Sequence, residues 1–154
     1  MAITLVGLGG CSEKRSQPLA IDNSLTQEEI AAGVLSPEVM WKIGRVGLAS
    51  LSPDASRLLY TVTWYNMQEN RGVTAIYVRD AASGEVAQLT DFSSNNSDPK
   101  WNADGSKIYF LSDLSGSSQI WEMAADGQNP RQLSKLDKDI EGFGVNPAGD
   151  NIFY

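Results

Sequence analysis

The sequence predicts an all-β fold, a partial β-propeller of about two and a half four-stranded antiparallel blades with a short N-terminal helix before them. Three observations predict it. A ten-residue segment occurs three times, a second motif recurs between its copies, and turn-forming residues separate short apolar and aromatic runs. A repeat of about 40–45 residues that contains four short strands is typical of propeller blades.

Each copy of the first repeat ends in an apolar and aromatic run that is typical of a strand. Its copies are Leu51–Tyr60, Trp101–Phe110 and Val145–Tyr154, which start 50 and 44 residues apart. A turn of the Pro-Asp-Gly type precedes each run. In such a turn Pro presets the backbone, Asp hydrogen-bonds to it locally and Gly adopts the left-handed conformation. The predicted structural turn residues are Pro53, Asp54, Asp104, Gly105, Pro147 and Gly149.

One turn departs from this pattern. Ala55 stands where the second copy has Gly105. A side chain in the left-handed conformation costs about 1–2 kcal/mol. We therefore expect a strained or altered turn in the first blade.

The second repeat interleaves with the first. Ile76-Tyr77 and Gln88–Thr90 recur without a gap 44 residues later, as Ile120-Trp121 and Gln132–Ser134. The six additional residues of the first interval therefore lie between Tyr60 and Ile76. We expect them to form a longer loop within residues 64–72.

These repeats place the blades. Blade 1 is predicted over residues 45–90, blade 2 over 97–134 and an incomplete blade 3 over 141–154, so that 36–154 form an incomplete propeller. The chain ends inside a predicted apolar strand, and a complete domain seldom leaves such an edge unpaired, so we expect a fragment. The strands predicted in blade 2 are Asp98–Trp101, Lys107–Leu111, Gln119–Met123 and Pro130–Leu133. The aromatic residues that recur on the strands are expected to fill the space between blades.

A helix is predicted directly before the first blade. In Ser36–Glu38 the serine suits the N-cap, the proline suits the first helical position and the glutamate suits the first turn. We expect Gly44 to end this helix and either Met40 or Trp41 to pack onto the edge of the propeller.

The first residues resemble a lipoprotein signal. The uncharged apolar run Ile3–Gly10 is too short to cross a bilayer, which requires about 20 helical residues, but it has the length of a signal-peptide core. Leu8–Cys11 resembles the lipobox of bacterial lipoproteins, although no basic residue precedes the run. The resemblance implies a signal-peptide remnant over residues 1–10, lipidation of Cys11 and a tether over 11–35. The alternative is an incidental cysteine.

The composition restricts the possible chemistry. The formal charge is −7 and the basic residues are scattered, so nucleic acid is not an expected partner. The 154 residues include one cysteine and no histidine, so they cannot build an imidazole-based catalytic triad or a zinc site rich in His and Cys. We predict no catalytic, cofactor-binding or metal-ligating residue and no cofactor.

Three local motifs match functional patterns only in part. Ser97 and Lys100 have the Ser-x-x-Lys spacing, but that pattern requires a helix, and Pro99 opens a predicted strand. Residues 142–147 lack the third glycine of a dinucleotide-binding fingerprint. Residues 137–141 contain three acids but lack the turn glycine and distal glutamate of a calcium loop. We interpret all three as parts of blades or loops.

With these motifs the segment from Trp41 to Tyr154 resembles the N-terminal β-propeller of the prolyl oligopeptidase family of serine peptidases, in its bacterial dipeptidyl-peptidase and acylaminoacyl-peptidase-like branch. Blade repeats of this kind are shared with TolB-type periplasmic propellers. The stretches that carry the resemblance are Arg45–Gly47, Leu59–Val62, Glu69–Gly72, Ile76–Val78, Gln88–Thr90, Ser115–Trp121 and Arg131–Leu133.

The resemblance implies a substrate-gating propeller of a secreted or periplasmic serine exopeptidase that cleaves oligopeptides. In that family a C-terminal α/β-hydrolase domain supplies Ser, Asp and His, and none of these positions lies in this chain. The implied partners are a peptide substrate, through that domain, and a membrane, through lipidated Cys11. The implied location is the bacterial periplasm or outer membrane. The alternative is a TolB-like, non-enzymatic lipoprotein whose propeller binds protein partners.

Overall fold

The computed structural model describes residues 18–146 and 151–154. These residues form two short helices and three antiparallel sheets, in the chain order β1-β2-β3-β4, β5-β6-β7-β8 and β9-β10. The helices are α1 (Gln27–Ala32) and α2 (Pro37–Lys42), and the strands are β1 (Arg45–Leu51), β2 (Arg57–Asn66), β3 (Arg71–Asp80), β4 (Val86–Gln88), β5 (Asn96–Trp101), β6 (Lys107–Ser112), β7 (Gln119–Ala124), β8 (Arg131–Gln132), β9 (Gly144–Val145) and β10 (Ile152–Phe153). The partial propeller predicted from the sequence is confirmed.

The core lies between successive sheets, because neighbouring residues of a strand point to opposite faces. Ile108 and Phe110 of β6 join cluster 1, which packs blade 2 against blade 1. Tyr109 and Leu111 of the same strand join cluster 2, which packs blade 2 against apolar side chains of residues 140–145 and against Ile152. Cluster 1 consists of Leu59, Ile76, Ile108, Phe110 and Met123. Cluster 2 consists of Tyr109, Leu111, Ile120, Ile140 and Phe143.

The structure corrects the expectation of a longer loop in blade 1. The strands β2 and β3 have ten residues each, whereas β6 and β7 have six each. The extra residues therefore lengthen both strands, and the connection in blade 1 contains only residues 67–70. The ladder continues to Asn66 opposite Arg71, because aromatic and β-branched residues fill the extension on both strands.

The second repeat has a specific hydrogen-bonding role at the outer edge of each blade. The Thr90 hydroxyl accepts a bond of 2.9 Å from the backbone N–H of Ile76. The Ser134 hydroxyl accepts the equivalent bond of 2.8 Å from Ile120. In each blade the fourth strand ends before it reaches this backbone N–H of the third strand. The hydroxyl that follows the fourth strand therefore accepts the hydrogen bond in place of a ladder carbonyl.

The helix predicted at Ser36 is present. The Ser36 hydroxyl accepts a bond from the N–H of Val39, and the helix ends at Lys42 with Ile43 as its C-cap. Of the two residues expected to pack on the propeller, Trp41 contacts Tyr65 at a ring distance of 5.3 Å, whereas Met40 is half exposed. Gly44 allows the close approach that follows, since a Cβ atom there would lie 2.7 Å from Val62.

The segment for which the sequence predicts a tether contains ordered elements. Thr26 and Glu29 form a capping box at the start of α1. Leu19 is buried, and its N–H donates to the carbonyl of Phe92 at 3.0 Å. The carbonyl of Ala20 accepts a bond of 2.8 Å from the Asn66 side chain on β2, so this segment contacts blade 1 at its start, and α1 is joined to α2 by the ion pair of Glu29 and Lys42. Neither helix has the length and apolarity to cross a membrane in the part of the chain that the structure describes.

Candidate binding cleft along the inner strands

A cleft of about 500 Å³ runs along the first strands of the three sheets. Its lining comes from Leu48–Leu51 on β1, Asp98–Trp101 on β5 and Val145 on β9. Among the described residues, β1 and β5 each pair on one side only, and their other edges face the cleft. Because propeller blades surround a central channel, this shared edge identifies the channel side. The volume is in the range of small-molecule pockets.

The β1 side of the cleft is an exposed apolar edge. All seven residues of β1 are exposed, and its side chains Val46, Leu48 and Leu51 have exposed fractions of 71%, 64% and 59%. The edge also presents backbone N–H and C=O groups that no strand of residues 18–146 or 151–154 pairs on that side. An extended peptide could bind such an edge through its main chain and its apolar side chains.

The β5 side carries the charged groups of the cleft. The ladder between β5 and β6 is interrupted between Ser97 and Lys100, and Asp98 has a φ of 49°. Aspartate tolerates this left-handed conformation better than most residues. The Asp98 carboxylate pairs with the Lys100 ammonium, which also lies 4.3 Å from the ring centre of Phe143. The irregularity thus holds an ion pair at the surface of the cleft.

Trp101 closes the cleft toward blade 1. The Arg57 guanidinium lies 4.7 Å from the Trp101 ring, and its Nη2 donates to the carbonyl of Gly105 at 3.0 Å. The Trp101 indole N–H is buried and has no hydrogen-bond partner among the described residues. Arg57 therefore links the strand of one blade to the turn of the next.

The structure brings four of the predicted turn residues together. A Cβ atom on Gly105 would lie 3.2 Å from Pro53 Cδ, so the turns of blades 1 and 2 are in contact. Gly105 has a φ of 73° and Ala55 a φ of 57°, so the alanine adopts the left-handed conformation that the sequence comparison indicates. Pro147 and Gly149 lie outside the described residues, as does Cys11.

Aspartate fixes both described turns. The hydroxyls of Ser52 and Ser56 donate to the Asp54 carboxylate at 2.6 and 2.8 Å, and these bonds lower its pKa to about 2. The pKa of Asp104 is also lowered, first by its bonds to Ser106 and then by Asn102. Each carboxylate is thus used within its own turn, which favours a structural role.

The residues on either side of the third predicted turn make the same hydrogen bonds as those that flank the first two turns. The N–H of Asn146 donates to the carbonyl of Asn151 at 3.0 Å, and the Asn146 side chain accepts from the N–H of Asn151 at 3.0 Å. Asn102 and Lys107 make the same pair of bonds in blade 2. The residues on either side of the turn therefore repeat in geometry as well as in sequence.

The Ser-x-x-Lys spacing and the acidic segment 137–141 both occupy structural positions, the first on a strand and the second in a loop. Ser97 and Lys100 lie on strand β5, where Lys100 pairs with Asp98. Asp139 accepts a bond from the N–H of Ser118 and so ties a loop to blade 2. Among residues 18–146 and 151–154 there is no group of three His, Cys, Asp or Glu side chains that could hold a metal ion.

Sequence reasoning did not find the bulge of β5 or the contact between Arg57 and Trp101. Pro99 was an available signal for the bulge, since proline lacks the N–H that a regular ladder requires and occurs in sheets at bulges and edges. The contact between Arg57 and Trp101 joins residues 44 positions apart, and no local pattern marks it.

The similarity of this chain to known proteins covers the segment that contains the helices and the blades. Residues 28–154 match the family model described as the TolB beta propeller domain. Dipeptidyl-peptidase 5 of Porphyromonas endodontalis is 29% identical over 134 residues, which cover 86% of this chain and 19% of that protein. Dipeptidyl-peptidase 5 of Porphyromonas gingivalis is 34% identical over 120 residues, which cover 78% and 18%. The chain thus spans about a fifth of the length of these curated relatives.

Solved structures agree on the architecture. A putative TolB from Agrobacterium tumefaciens has a TM-score of 0.56 at 28% identity, over 69% of this chain and 37% of that one. The acylaminoacyl peptidase of Pyrococcus horikoshii has a TM-score of 0.62 at 18% identity, over 73% and 17%. The second likeness is one of fold alone. Together these similarities confirm the resemblance drawn from the repeats.

Proposed function

Because the chain belongs to the TolB β-propeller domain family, we propose that it is the substrate-gating propeller segment of a secreted or periplasmic serine exopeptidase that cleaves oligopeptides. One observation carries this proposal. Most of the chain aligns with two proteins named dipeptidyl-peptidase 5, at 29% and 34% identity. The location in the cell envelope is part of the same proposal.

The cleft along β1 and β5 supports a role in admitting peptides. It offers on one side an exposed apolar edge whose backbone groups have no ladder partner in the described part of the chain, and on the other side the pair of Asp98 and Lys100. A peptide can satisfy both with its backbone and its side chains. Enclosure by further blades would make such a channel selective for the size of the peptide.

The chemistry of hydrolysis must come from outside these 154 residues. A serine peptidase requires an imidazole base, and the sequence contains no histidine. We therefore assign the peptide bond cleavage to an α/β-hydrolase domain that follows the propeller in the whole protein. This chain would then contribute selection of the substrate and no catalytic residue.

The complete reading frame provides the first test. We expect the coding sequence beyond Tyr154 to contain a Gly-x-Ser-x-Gly motif followed by Asp and His, and the complete product to cleave dipeptidyl chromogenic substrates. A reading frame with only further blades, or a complete product without turnover, would refute the proposed peptidase.

A matched pair of variants in the complete product tests the gating role. Leu48→Trp adds a large ring to the inner strand, and Val86→Trp adds it to the outermost strand β4, where the residue is also exposed. We expect Leu48→Trp to lower kcat/KM for long oligopeptides severalfold more than for dipeptidyl substrates, while Val86→Trp leaves this ratio unchanged. An unchanged ratio in Leu48→Trp contradicts gating by this cleft.

A specific observation favours one alternative function. The putative TolB from Agrobacterium tumefaciens is 28% identical to this chain, so a non-enzymatic propeller lipoprotein that binds protein partners is the second candidate. Under that alternative the complete product has no peptidase activity at all.

We propose a membrane as a further partner, through lipidation of Cys11, on the basis of the lipobox-like Leu8–Cys11. Radioactive palmitate should label the product of the complete gene and leave the Cys11→Ala variant unlabelled. Equal label in both would exclude lipidation at this cysteine.

A further inference from the structure

A cluster of one arginine and two aromatic rings lies at the start of the inner strand of blade 1. The guanidinium carbon of Arg45 is 4.8 Å from the ring centre of Trp41 and 4.4 Å from that of Tyr65. The two rings meet edge to face at 5.3 Å and an interplanar angle of 65°. The guanidinium therefore lies in the angle between the rings, and we call these three residues the aromatic corner.

The strand pairing places the aromatic corner on the face of blade 1 that is turned toward blade 2. Arg45 pairs with Thr63, and Tyr65 lies two residues further along β2. Side chains two residues apart share a face, so Arg45 and Tyr65 project from the same side as Leu59. Leu59 packs against blade 2 in cluster 1.

The corner also stands at the rim of the channel. β1 is an inner strand, and Arg45 is at the opposite end of it from the turn that contains Pro53. At this end the hairpin of β2 and β3 extends beyond the length of its counterpart in blade 2. A molecule that enters the channel from this side therefore meets the corner before it reaches the cleft.

Arg45 is exposed and lacks an acidic partner. Among the described residues, no carboxylate lies within 4.0 Å of its side chain, and no hydrogen bond of that side chain occurs. Arg71 and Arg131, by contrast, pair with Glu69 and Glu122. Because the described residues provide no acidic partner, the donors of this guanidinium are available for a ligand, in a chain of formal charge −7.

We infer that Arg45 is a preorganised binding residue for the carboxylate of a peptide, at the rim of the channel; the peptide class rests on the proposed function. A guanidinium presents its N–H groups as a planar fork that matches a carboxylate with two parallel bonds. The two rings restrict the side chain before the ligand arrives, so less rotamer entropy is lost on binding. Arg45 thereby selects peptides that carry a negative charge.

The direct test is an NMR titration of the full 154-residue chain with three acetylated peptides. The first has a free C-terminal carboxylate, the second is its C-terminal amide, and the third is the amide with one internal aspartate. We expect the acidic peptides to shift the Nε–H signal of Arg45 and to bind about ten- to a hundredfold more tightly than the neutral amide. A preference for the first or third peptide identifies the source of the carboxylate.

The variants separate recognition from folding. Arg45→Gln should remove the preference for acidic peptides, and Arg45→Lys should keep only part of it, because an ammonium lacks the planar fork. Arg71→Gln, at the end of the adjacent hairpin of β2 and β3, is the control and should keep the full preference. Circular dichroism and thermal unfolding should match the wild type in all three.

The inference is overturned if acidic and neutral peptides bind equally, if Arg45→Gln keeps the preference, or if no peptide binds at all. The proposed peptidase fails by a separate result, the lack of turnover in the complete product. An acid preference that depends on Arg45 in a product without turnover would keep the binding site and refute only the peptidase.

Discussion

The central hairpin of blade 1 has ten residues in each strand, whereas that of blade 2 has six. The turns between the first and second strands also differ, with Ala55 in one and Gly105 in the other, both at positive φ. The strand order and the bonds around these turns are nevertheless the same. The four-stranded blade thus keeps the same topology with a longer central hairpin and with a less favourable turn residue.

The two blades differ further in what covers them. Both faces of blade 2 are occupied by apolar clusters, one shared with blade 1 and one with residues 140–145 and Ile152. On blade 1, Val62 and Trp64 project from the face opposite cluster 1, and Gly44 packs closely against both. The stability of a blade therefore depends on its neighbours, as in other repeat architectures.

The largest expected effect concerns the two faces of strand β6. Ile108→Ala removes a fully buried side chain between two four-stranded sheets, and Leu111→Ala removes one that faces cluster 2. Both should lower the free energy of unfolding by about 2–5 kcal/mol. Ile108→Ala should cost more, because the short strands β9 and β10 near cluster 2 allow the cavity to collapse.

Urea denaturation followed by tryptophan fluorescence measures these differences, with the half-exposed Leu114→Ala as the control. If Leu111→Ala is the more costly of the two, the contact between blades 1 and 2 is not the main support of blade 2. An effect of Leu114→Ala as large as either would mean that the unfolding signal does not report on the core.

The next effect concerns the turns. Gly105→Ala places a Cβ atom at a φ of 73° and 3.2 Å from Pro53 Cδ, so it should lower the free energy of unfolding by about 1–2 kcal/mol or more. Ala55→Gly relieves the same conformation in blade 1 and should raise the melting temperature, although glycine loses more backbone entropy on folding. A clear decrease for Ala55→Gly would show that the alanine at 57° is not strained.

The smallest expected effect is a dependence on pH. The pKa of Asp54 falls from an ordinary 3.8 to about 2 because Ser52 and Ser56 donate to its carboxylate. Since the folded pKa is the lower one, this contribution to stability is complete above about pH 4 and is lost as the pH falls toward 2. In thermal unfolding, Ser52→Ala should reduce the loss of stability between pH 4 and pH 2. Ser106→Ala is the control: it removes a bond to Asp104 and should leave the contribution of Asp54 to this loss unchanged.

Much of the fold could be predicted from the sequence because the repeats fix it. The strands of blade 2 begin and end within two residues of the predicted bounds, since turn residues such as Gly105 and Gly127 mark their ends. The capping box of Thr26 and Glu29 was also present in the sequence as a helix signal. It lies in a polar stretch without an apolar repeat, which favoured the prediction of a tether.

The candidate site was less predictable, because its geometry depends on distant contacts. The six additional residues of the first repeat interval favoured a loop within residues 64–72, but the ladder of β2 and β3 continues to the pair of Asn66 and Arg71. The left-handed Asp98 and the position of Arg45 between two rings arise from a bulge and from packing of α2 on β2. Neither has a periodic signal in the sequence.

The longer hairpin of blade 1 also restricts how related genes can vary. Each strand is four residues longer than its counterpart in blade 2, and an even number preserves the alternation of side chains between the two faces. An insertion of one residue between Thr63 and Tyr65 would turn Tyr65 to the other face of the strand and separate it from Arg45. Length variation at this point of β2 should therefore be tolerated in increments of two residues, and odd increments should be rare.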